Sequence, residues 1–147
     1  MDKKDFYART MHTPDDPERA RRRAALRETS KALLPLHQAL INVAKQDYAD
    51  ATGMPASPTQ LVRLLMEDPF FAWLKPVTAL IVDIDEMARV DFEASDVAQI
   101  AERVDKLFGV NAEIAFAEKY VPTLQRDVDV AIAHAALRQA VRKLRDA

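Results

Sequence analysis

The chain has 147 residues, 49% apolar and 30% charged, with 25 Ala, eight Pro, two Gly and no Cys. That length implies one domain, and so few Gly leave too little turn chemistry for a sandwich or barrel of many short strands. A net charge of −2 supplies no overall field to draw the chain onto nucleic acid or acidic lipid, and the lack of cysteine excludes disulfides, thiol catalysis, iron–sulfur clusters and thiolate zinc sites.

The charge is unevenly spread, at +2 over residues 1–50, −6 over 51–119 and +2 over 120–147. Solvated helix faces are the ordinary cause of such unevenness. Self-association is the other, with the basic ends of one copy docking on the acidic middle of a second. The opening MDKKDFYARTMHTPDD has no apolar stretch of the secretory kind. Runs such as Ala79 to Val82 fall far short of a membrane span. A cytoplasmic protein is expected, with no membrane partner, a flexible N-terminus over 1–15 and one helical domain over 16–147.

Asp16-Pro17 reads as a helix start, a capping carboxylate before a Pro whose missing N–H costs nothing in the first turn. The helical pattern runs to about Ala51, with Gly53 as its stop and Pro55 just beyond. Pro35 is expected to kink or split it near Leu33-Leu34. From Leu36 onward the apolar face is clear: Leu36, Leu40, Val43, Ala44 and Ala51. Residues 17–32 offer mainly Ala20, Ala24, Ala25 and Leu26 among many Arg, which predicts a protruding or frayed arm.

Ser57-Pro58-Thr59-Gln60 has capping-box spacing and opens a short helix through Leu61, Val62, Leu64, Leu65 and Met66. Asp68-Pro69 repeats the start signal and opens an apolar-periodic segment to about Val90, with a bend at Pro76. Ser95 is expected to cap a helix ending at Gly109. Asn111 is expected to cap the last helical region, which Pro122 divides into a piece near 114–120 and a terminal helix over about 123–144. Five or six helices with short connections predict a compact all-α bundle with Pro-kinked long helices and no internal repeat.

DPFFAWLKP, residues 68–76, places three aromatics at a helix start. On a 100° wheel Phe70 and Trp73 fall with Val77, Leu80 and Ile84, as core, while Phe71 points away, toward a partner or a second packing face. His37 and His134 sit on apolar faces of different helices, the minimum for a metal or haem site in a bundle. Asp85 and Asp47 are carboxylates within reach of such a face. No Glu-x-x-His or His-Glu-x-x-His spacing occurs, so an ordinary hydrogen-bonded core histidine is the better reading. Asp83, Asp85 and Glu86 diverge in helical phase and cannot converge on one substrate. No GxSxG or phosphate-binding Gly loop is present, no catalytic residue is assigned, and no cofactor or metal is expected.

Arg19, Arg22, Arg23 and Arg27 form the basic arm, with Arg19, Arg23 and Arg27 along one side. Arg138, Arg142, Lys143 and Arg145 form a second basic patch. Neither has aromatic stacking partners, so nucleic-acid binding is the least favoured reading. The segment DPFFAWLKPVTALIVDIDE, with the downstream LQRDVDVAIAHAALRQAV, resembles a group of small uncharacterised all-helical bacterial proteins over roughly residues 30–145. The resemblance implies a compact helical fold and carries over no functional residue. The favoured expectation is a non-enzymatic protein acting by protein–protein contact, as a homodimer, through Arg19, Arg22, Arg23, Arg27 and Phe71. Its alternative is a small-ligand, metal or haem-binding bundle using His37, Trp73, Asp85 and His134.

Overall fold

The computed structural model describes residues 14–110 and 112–147. Six α-helices and one 3-10 helix account for the regular structure there, with no strand among the described residues. They are α1 (Pro17–Thr52), α2 (Pro58–Glu67), the 3-10 helix Pro69–Leu74, α3 (Lys75–Met87), α4 (Ala94–Phe108), α5 (Ile114–Arg126) and α6 (Val128–Asp146). The all-α bundle is therefore what the sequence folds into. Of the expected flexible N-terminus, residues 1–13 lie outside the described residues, as does Asn111.

The helix ends follow local chemistry. The Asp16 side chain accepts from the Arg19 N–H at 2.7 Å, and Ser57 with Gln60 completes a reciprocal capping box. Gly53 ends α1 at φ 80°, a left-handed conformation that glycine adopts without steric cost. One expected cap and one expected break are corrected. Glu93 precedes α4 in place of Ser95, its N–H donating to the Asp96 carboxylate at 2.8 Å. The break near the C-terminus falls at Asp127, whose carboxylate accepts from the Val130 N–H at 3.0 Å.

Two prolines expected to divide helices do not. α1 runs uninterrupted through Pro35 and α5 through Pro122. Both prolines are exposed, so the carbonyl each leaves without its intrahelical donor faces water. Pro76 instead sits in the first turn of α3, where proline is tolerated.

α1 is the spine of the bundle. It packs most extensively on α6 and then on α3. It runs antiparallel to both: Glu28 meets Lys143, Ser30 meets Asp85 and His37 meets Thr78. α4 and α5 also pack on α6 and on each other. Leu26, Leu33 and Leu40, seven residues apart, are wholly buried along α1, as are Leu36, Val77, Ile84 and Val130 beside them. The expected arm over 17–32 does not protrude, because Arg23, Ala25, Leu26, Thr29 and Ser30 all lie in the buried stripe. The polar members are satisfied locally. Thr29 donates to the Ala25 carbonyl at 2.8 Å and Ser30 to Asp85 at 2.5 Å. Ala51, expected on the apolar face, is exposed.

Candidate functional site

The basic arm resolves into residues with separate fates. Arg23 is 3% exposed. Its guanidinium donates twice to the Asp15 carboxylate, at 2.7 and 2.9 Å, and to the carbonyls of Ala88 and Val90 at 2.7 and 2.8 Å. Asp91 lies 3.8 Å from its Nη2, and the Phe92 ring centroid is 5.0 Å away. Arg23 thus ties the start of α1 to the turn after α3, and the expected row of Arg19, Arg23 and Arg27 on one contact face does not exist. Arg22 lies 4.0 Å from Glu18, one turn earlier, and Arg27 is exposed.

Phe71 is corrected in the same way. It is fully buried, against Tyr48 at 5.6 Å between ring centroids, while Phe70 is 39% exposed. Residues 69–74 adopt a 3-10 helix, which turns 120° per residue, so Phe71 and Leu74 superpose on one side, and both are buried. The α-helical wheel assigned the core to Phe70 and the outer face to Phe71; the tighter helix reverses them.

The four ligand candidates do not converge. His37 Nε2 and the Thr78 hydroxyl are 3.0 Å apart across the α1–α3 seam, and Asp85 is taken by Ser30 two turns away on the same seam. His134 Nδ1 lies 2.6 Å from the Tyr120 hydroxyl between α5 and α6. Tyr120 stacks on Phe116 at 5.4 Å, and Phe116 meets Trp73 at 5.8 Å, so His134 and Trp73 belong to one aromatic cluster while remaining three rings apart. Burial lowers the pKa of both histidines, with Arg138 adding to the effect at His134, and burial raises that of Tyr120. Among the described residues no group of three or more His, Asp or Glu is arranged to hold a metal ion. Asp47, the other carboxylate considered, pairs with Arg126 at 2.6 Å.

The charge asymmetry is met within one chain. Arg145 pairs with Asp105 and Arg23 approaches Asp91, so basic ends and acidic middle join intramolecularly. Lys143 pairs with Glu28 at 3.3 Å.

Surfaces that sequence reasoning passed over hold the unpartnered apolar groups. α2 has no buried residue; Leu61, Leu64 and Leu65 are half-buried, while Val62 and Met66, one turn apart, are exposed. A groove of about 790 Å³ runs between α1 and α6. Its floor is Ala32, Ala39, Ala133 and Ala140, and Ile132, 65% exposed, stands on its wall. Small residues at heptad spacing were the available signal, visible in KALLPLHQA and IAHAALRQA. No helix among the described residues is long and apolar enough to cross a membrane. No protein family, curated protein or solved structure matches the chain.

Proposed function

We propose that this is a non-enzymatic cytoplasmic protein that works by holding other protein surfaces, beginning with a second copy of itself. The observation that carries the reading is the apolar surface left in solvent on well-formed helices: Leu34 on α1, Val62 and Met66 on α2, Val128 and Ile132 on α6. Isolated exposed apolar residues are ordinary, but successive turns of one helix carrying them mark contact surface. The polar side chains suited to chemistry support the same reading from the other side. Ser30, His37, Asp85 and His134 each hold a hydrogen-bond partner across a helix seam, on separate seams or levels.

Sedimentation velocity of the untagged full chain tests this. The reading expects the weight-average mass to rise from 16.5 kDa toward twice that value across the micromolar range. A single monomer boundary throughout would remove self-association from the reading.

A further inference from the structure

We propose that the second copy sits in the α1–α6 groove, antiparallel to the first, making a four-helix seam around a two-fold axis at Pro35 and Ala136. The inference rests on the self-association reading and names its face.

The groove is lined in matching register from both sides. Ala32, Gln38 and Ala39 on α1 stand at the same spacings as Ala133, Gln139 and Ala140 on α6, with Pro35 and Ala136 at the two midpoints. Acidic residues, Glu28 and Asp129, open both sequences. Because α1 and α6 are antiparallel, this pair of helices presents a nearly two-fold surface about 21 Å long, at 1.5 Å per residue. Such a surface is suited to an isologous contact, in which the same patch serves both copies. Alanine on the floor lets helices approach to the short end of the usual 8–10 Å range, and Ile132 supplies a large apolar side chain to the seam.

Charge fixes the orientation. Lys31 and Lys143 stand with Glu28 at one end of the groove, leaving an excess of positive charge. The other end carries Asp129 beside Asn42 and is negative. Turning one copy about the axis across the groove lays α6 on the second copy's α6 with reversed direction. The Lys143 end of each then faces the Asp129 end of the other, twice per dimer, and like ends are kept apart. A copy turned about the groove direction would place equal ends together, positive on positive.

The chain contains no cysteine, so a single Ala136→Cys change, at an exposed position, reports on this arrangement without competing thiols. Mild oxidation of the full chain is expected to convert most of the A136C protein to a covalent dimer, while Ala98→Cys, exposed on α4, stays mostly monomeric. Ala136→Arg, its fold checked by circular dichroism, is expected to raise the dimer dissociation constant at least tenfold in sedimentation. A dimer in solution whose A136C variant does not cross-link, or whose A136R variant associates unchanged, overturns this face while leaving self-association standing. A monomer at all concentrations overturns both.

Discussion

A guanidinium is tolerated inside a small bundle only where its donors are met, and Arg23 meets that condition with one carboxylate and two turn carbonyls. The planar fork matters here, since two parallel bonds reach Asp15 while a third nitrogen holds the turn after α3. Truncation removes the donors that Arg23 gives to Asp15 and to the carbonyls of Ala88 and Val90. Arg23→Ala is therefore expected to destabilise the protein by about 3–5 kcal/mol, read from the urea unfolding midpoint. Arg23→Lys should recover only part of this, because an ammonium cannot span the same acceptors. A loss below about 1 kcal/mol for Arg23→Ala, the scale of an exposed ion pair, would mean that the latch is a surface contact. The basic composition of residues 19–27 suggested a solvent-facing arm, and nothing in spacing alone distinguishes the one arginine that turns inward.

At the scale of elements, end signals were legible and phase was not. Asp16, Ser57 and Gly53 mark helix boundaries because capping chemistry is local, complete within three or four residues. Pro35 and Pro122 do not split their helices: whether a proline does so depends on how the surroundings absorb its lost hydrogen bond and its ring's clash with the preceding turn, which is a tertiary fact. The α-helical wheel failed over residues 69–74 because the chain there is 3-10, and each residue shifts phase by 20° relative to an α-helix. That shift has a measurable consequence. Phe71→Ala is expected to cost about 3–5 kcal/mol, the range for a buried aromatic, and Phe70→Ala under about 1.5 kcal/mol because much of its ring is already in solvent. Equal costs, or the reverse order, would restore the α-helical phase. Helical phase puts His37, Asp85 and His134 on or beside apolar faces, but a single helix's phase cannot say whether two such groups face each other. His37 and His134 prove to face different neighbours. The matched heptads of α1 and α6 escaped notice because alanine contributes little to an apolar stripe until two helices bring it together.

Across the whole molecule, His37 and His134 link bundle stability to pH, since each lies at a seam between helices rather than on a free surface. Burial holds both folded-state pKa values below the ordinary 6.5, and Arg138 pushes His134 further in the same direction. The unfolded chain then binds protons more readily than the folded one as pH falls from neutrality. Stability is fully present above about 6.5 and declines as the pH drops through the unfolded and then the folded values. Histidine is the side chain whose ordinary pKa falls between pH 5 and 8, so the slope between pH 7.5 and 5.5 is assigned to His37 and His134. The urea midpoint is expected to fall over that interval. A His37→Gln/His134→Gln double variant, which keeps a hydrogen-bonding side chain opposite Thr78 and Tyr120, should flatten the fall. Proton resonances of both rings should titrate below 6.5 in the folded protein. A midpoint that rises toward pH 5.5, or rings that titrate above 6.5, would show that the charged imidazole is the form the bundle favours. The Tyr120 contact would then be a proton acceptor for a cation rather than a bond between neutral groups.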